Sequence, residues 1–216
     1  MKKIKKGTLL IILLYSFSTN AQSLTDVARC KTITWLGVNF SLATFIGFSN
    51  NELFEKIPDE WTFTFCNNNH INFSSPNPLQ QKDFLTYSND NPNFIKRAFR
   101  KKQLIISTSE TAMRNSLINC KQQISSVVYF LDIDKIKKVV SEYNLDKNGF
   151  GVLFIVESIE KVSNGIFIWV VYINTNNKEI ISTKRYNGDF KNFLFLKKSI
   201  RSIIKLSGLD LRHYKN

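Results

Sequence analysis

The sequence predicts an α+β fold: a single domain in which a largely antiparallel sheet has helices packed against it. Three observations predict this. The carboxy-terminal third reads strand, strand, strand, helix. The middle of the chain mixes short strands with amphipathic helices, an order that separates α+β from alternating α/β chains. No repeat with a period of about 20–50 residues is visible, which sets solenoids and propellers aside.

The first strand is Thr32-Ile33-Thr34-Trp35-Leu36-Gly37-Val38, rich in β-branched and aromatic residues. Ala43 to Gly47 reads as its continuation or as a second strand. Asp59-Glu60-Trp61 reads as a helical or turn region. Two stretches dense in turn formers follow, Asn67 to Pro78 and Ser88 to Asn93, and both read as long surface loops. Phe94 to Lys102 mixes apolar and basic residues at helical spacing. Leu104 to Ser107 is a short strand, and Ser109 with Glu110 opens a helix. Ile133 to Tyr143 is a further helix, capped by Asp132 or Asp134, with Ile136, Val139, Val140 and Tyr143 on one side.

The last third is clearest. Phe150 to Val156 is a strand, with Glu157 and Glu160 in a solvated loop after it. Ile166 to Ile173 is apolar without alternation, as when both faces of a strand are covered. Asn174-Thr175-Asn176-Asn177 is turn chemistry, and Glu179 to Tyr186 returns as the partner strand. A helix from Lys191 to Leu206 closes the chain. Its apolar stripe is Phe193, Leu196, Ile200, Ile203 and Ile204, and Lys197, Lys198, Arg201 and Lys205 lie opposite.

Residues 1–22 read as a signal peptide, leaving 23–216 as the domain. Lys2, Lys3, Lys5 and Lys6 precede the apolar run Leu9 to Leu14, and Thr19 and Ala21 suit cleavage before Gln22. That run is too short to cross about 30 Å of hydrocarbon, and no later segment is long enough. The expected location is the periplasm or the outside of the cell. Removing the four leader lysines lowers the net charge from +13 to +9, which favours anionic partners.

The catalytic inventory is thin. Phosphate-loop, dinucleotide and nucleophile-elbow motifs are missing. Cys66 and His70 are the one thiol–imidazole pairing, but Asn67-Asn68-Asn69 between them favours a turn and leaves their geometry unsupported. One Cys-His pair is too small a ligand set for zinc. No catalytic residue, metal or cofactor is therefore assigned. The three cysteines, Cys30, Cys66 and Cys120, leave at least one thiol without an intramolecular partner. The basic residues that suggest partner binding are Arg97, Arg100 and Lys101 in the middle of the chain, and Lys197, Lys198, Arg201 and Lys205 in the last helix. Export argues against nucleic acid as that partner.

At Thr34-Trp35-Leu36-Gly37-Val38-Asn39-Phe40-Ser41 and from Gly149 to Leu206, the chain resembles a group of small exported bacterial proteins of unassigned function. That group reads Gly-x-Asp-Phe-Ser where this chain has Asn39, and a Tyr-Trp pair near Phe193-Leu194-Phe195. The closing hairpin and helix are more loosely similar to envelope-assembly proteins of the curli-secretion and penicillin-binding-protein-activator type. The resemblance implies export and supplies no activity. The expected function is a non-enzymatic envelope protein that binds a protein or an anionic envelope polymer. The alternatives are a hydrolase of an envelope glycan or ester, using Glu157, Glu160 or Cys66–His70, and a protective protein that neutralises its partner by binding.

Overall fold

The computed structural model describes residues 22–49, 91–116, 118, 123–128, 130–146, 149–191 and 193–215. The stretch read as a signal peptide, up to Ala21, the two stretches read as loops, up to Asp90, and Asp59–Trp61, Cys66, His70 and Cys120 lie outside them.

The chain runs α1 (Leu24–Arg29), β1 (Thr32–Asn39), β2 (Thr44–Ile46), α2 (Asn91–Ala98), β3 (Gln103–Ile106) and α3 (Ser109–Ser116). It continues β4 (Ile124–Ser125), α4 (Ile133–Glu142), β5 (Phe150–Glu160), β6 (Gly165–Asn174), β7 (Glu179–Asp189) and α5 (Phe193–His213). Local chemistry sets several of these boundaries. Ser23 and Asp26 form a reciprocal capping box at the start of α1. Asp132 caps α4 by accepting from the Lys135 amide at 2.8 Å.

The sheet overturns the largely antiparallel expectation. Among the described residues, four of its six strand pairings are parallel: β1 with β3, β1 with β5, β2 with β4, and β2 with β5. These parallel strands make a curled, half-barrel surface. Only the β5–β6–β7 meander is antiparallel. The cause is one of range. A hairpin turn such as Asn174–Asn177 is written in adjacent residues, whereas parallel partners are joined by long crossovers that leave no local mark.

β1 and β2 form one interrupted line along β5. β1 pairs Gly151–Ile155, and β2 then pairs Ser158–Glu160 on the same edge. Between those registers β5 carries an irregularity at Val156/Ser158, and the residue it frees is Glu157. β1 has its own bulge at Trp35/Gly37, where Gly37 adopts φ 101°. A side chain there would meet Thr111 of α3 at 3.2 Å. The closeness has a purpose: Thr111 Oγ1 donates to the Leu36 carbonyl and lies 3.0 Å from the Tyr143 hydroxyl.

Two apolar clusters flank the sheet. The larger joins α1, α2 and α5 to Val152, Phe154, Ile168 and Val170. The smaller joins α4 to Leu36, Leu153, Ile155 and Val171. At Phe167 and Trp169, β6 is covered on one face only, so the double cover expected over Ile166–Ile173 holds for part of the strand.

Candidate anion-binding face

Helices α2 and α5 cross at unusually close range. A side chain at Gly208 would stand 2.2 Å from the Ala98 carbonyl oxygen, so only glycine permits this approach. Here lies the difference from the expected end of the last helix at Leu206. The helix runs on to His213, because Gly208 serves packing rather than termination. The extra turn brings in Asp210, Arg212 and His213.

α2 ends in a reciprocal pair of bonds: the Lys101 amide reaches the Lys96 carbonyl, and the Arg100 amide reaches that of Arg97, both at 3.1 Å. This geometry wants glycine in the left-handed position, but Arg100 occupies it at φ 50°. Such a conformation costs an L-residue about 1–2 kcal/mol. Arg212 Nη2 donates to the Ala98 carbonyl at 3.1 Å, satisfying one of the open carbonyls of the last turn.

The crossing brings together the two basic stretches singled out in the sequence. Arg201 lies 4.7 Å and Lys205 5.9 Å from the centre of the Phe94 ring, so one aromatic ring of α2 seats two cations of α5. Lys198 and Lys205 are exposed beside them, and Lys197 lies on the same helix. Arg97 is exposed, its Nε donating to the Asn93 carbonyl.

Lys101 is a correction. It is 5% exposed, and its ammonium donates to the carbonyls of Val27, Ala28 (3.0 Å) and Cys30 (3.1 Å). Burial pushes its pKa down, and the neighbouring Cys30 works against that shift. It neutralises the carbonyl end of α1 and presents nothing to a partner. The sequence grouped it with its exposed neighbours because a run of cations carries no sign of which one turns inward.

Beyond the crossing is a cavity of about 300 Å³. Arg100, Arg212, His213 and Lys215 line it over an apolar floor of Ala28, Phe99 and Leu211. Among the described residues, no carboxylate is in that lining. The Arg212 Nε is buried without a hydrogen-bond partner. Its guanidinium pKa is held below the ordinary value, first by burial and then by the charge of Arg100. Sequence reading passed over Arg212 and Lys215 because the helix was ended too early, and set His213 aside because chain termini fray. The signal was present: Ile200, Ile204, Ser207 and Leu211 continue one helical stripe past Leu206.

The carboxylates named for hydrolysis have a different setting. Glu157 and Glu160 lie within β5, not in a solvated loop. Glu157 is fully buried. Trp169 Nε1 donates to its Oε2 at 2.5 Å, and Arg185 grips both oxygens from Nε and Nη2 at 2.9 Å each. The guanidinium rests against Phe167 and Phe130, 4.2 and 5.5 Å from the ring centres. Glu160 takes separate donors, the hydroxyls of Ser158 and Ser163. A glycosidase pair needs two carboxyl groups facing one shared bond. Here one is sealed in a bidentate clamp and the other is held by serines. Among the described residues, no group of three or more His, Cys, Asp or Glu side chains could hold a metal ion, and no helix is long and apolar enough to cross a membrane. Comparison with known proteins finds no match to a family model, to a curated protein or to a solved structure.

Proposed function

We propose that this chain is an exported, non-enzymatic binding protein that holds an anionic envelope polymer on the face made by α2 and α5. One observation carries the reading. Phe94 of α2 seats two cations of α5, Arg201 and Lys205, and the same pair of helices ends at a cavity lined by Arg100, Arg212, His213 and Lys215. Converging like charges raise the local concentration of an oppositely charged partner and speed its capture. Export rests on the leader-like first residues.

The test is binding of polyphosphate to the purified protein across a salt series, with a Lys198→Gln/Arg201→Gln/Lys205→Gln variant alongside. Affinity should fall steeply as salt rises, because each neutralised phosphate releases counterions. The variant should bind at least tenfold more weakly, with a shallower salt slope. Equal binding by both proteins would remove the α2–α5 face from the function.

A further inference from the structure

We propose that the cavity between the end of α2 and the last turn of α5 is a binding site for a phosphate monoester, gripped by Arg100 and Arg212 with His213 and Lys215 at its mouth. This deepens the anion-binding reading by naming the group recognised, and it uses side chains that the polymer-binding test leaves untouched.

Charge is the first reason. Two guanidinium groups face one space; among the described residues no carboxylate lines it, and neither guanidinium forms a salt bridge with an acidic side chain. Asp210, three residues before His213 and close enough to feel its charge, is bonded elsewhere. It accepts the Tyr186 hydroxyl at 2.6 Å and pairs with Lys184. Packing cations together without a counter-charge is unfavourable unless an anion completes the set. A carboxylate ligand would neutralise one of them. A phosphate monoester carries about −1.5 to −2 charges and three strong acceptor oxygens, which suits two planar forks better.

Directionality is the second reason. The buried Arg212 Nε has no acceptor, while the same guanidinium is anchored through Nη2 to the Ala98 carbonyl. One edge of the group is thus fixed by the fold and another is left open. Arg100 reaches the same space from a left-handed backbone position, where glycine would be the relaxed choice. Strain at a residue whose side chain lines a cavity is the kind of outlier that points to function.

Size is the third. About 300 Å³ is at the small end of ligand pockets. It has room for a phosphate and the small polyol attached to it. The floor of Ala28, Phe99 and Leu211 offers that polyol an apolar surface.

The experiment titrates the full-length protein with inorganic phosphate and with glycerol phosphate at constant ionic strength, following amide or tryptophan signals. Chloride at matched strength is the control. Both phosphates should saturate while chloride does not. Arg100→Gly, which relaxes the backbone, should fold normally and bind at least tenfold more weakly. Arg212→Gln should do the same, and Arg212→Lys should recover only part, because it keeps the charge without the fork. The Lys198/Arg201/Lys205 variant should bind phosphate as the unaltered protein does, so the pocket and the polymer face succeed or fail separately. Flotation with phosphatidylcholine vesicles, with and without phosphatidic acid, then identifies the source. Capture only by phosphatidic acid vesicles assigns a lipid headgroup, and glycerol phosphate binding without flotation assigns a soluble ester. Phosphate behaving as chloride does, or Arg100→Gly binding unchanged, would overturn the proposal.

Discussion

Arg185 and Arg212 are both partly buried guanidinium groups on opposite sides of the same sheet, and they are treated in opposite ways. Arg185 meets a fully buried carboxylate in a two-point clamp, reinforced by the Trp169 indole. Arg212 meets another arginine and a cavity, with one nitrogen left over. The first arrangement is closed: every charge that enters the interior brings its partner. The second is open, because among the described residues no carboxylate lines the space that its cations share. A charge with a structural partner and one left open are thus told apart by the state of their partners more than by exposure.

The largest effect should come from breaking the closed pair. Arg185→Leu strands the Glu157 carboxylate in the interior and should cost about 3–5 kcal/mol in urea unfolding. Glu157→Gln should cost less, because Arg185 is 31% exposed and can turn to water. If both cost the same, the asymmetry between the partners is wrong. Next comes the contact that shapes the open site. Gly208→Ala would gain roughly 1 kcal/mol of helix propensity on an uncrowded helix. Against the Ala98 carbonyl it should instead destabilise by about 1–3 kcal/mol, since neither backbone can yield. The sign of that change checks the crossing.

A smaller effect separates the two sites by pH. Burial, joined by the nearby Asp210 charge, raises the pKa of both Tyr172 and Tyr186, and Asp210 also holds the Tyr186 proton by accepting its hydrogen bond. A raised folded pKa gives stability that is whole below the ordinary value of 10.0 and is lost as pH climbs past it. Unfolding measured from pH 8 to 11 should therefore steepen near the top, and Tyr186→Phe should flatten the curve. Asp210 runs the other way: burial raises its pKa, but donors Lys184 and Tyr186 outweigh that and hold it below the ordinary value. Its contribution is present at neutral pH and fades as acid protonates it. The smallest change should be Arg100→Gln, within about 0.5 kcal/mol of the unaltered protein, since among the described residues Arg100 forms no ion pair to lose.

How much of this was legible in the sequence depends on range. The Asp132 cap, the α4 stripe and the closing meander are written in residues a few positions apart, where periodicity and turn chemistry speak directly. The parallel pairings are not, because nothing near Trp35 marks Ile106 or Val152 as its partners. Glu157 was misplaced because a carboxylate after a run of apolar residues looks like the end of a strand. Its burial depends on Arg185 and Trp169, which no local pattern connects to it. Four of the seven basic residues named in advance as partner-binding, Arg100, Lys198, Arg201 and Lys205, are brought to the α2–α5 crossing, while Lys101 turned inward.

The interrupted line of β1 and β2 has a consequence in time. Its neighbours β3, β4 and β5 all follow it in the chain, and each of its pairings must close a long loop before any hydrogen bond repays that ordering. The β5–β6–β7 meander closes only short turns and can form on its own schedule. The first strand of the described chain is thus expected to be among the last to find its place.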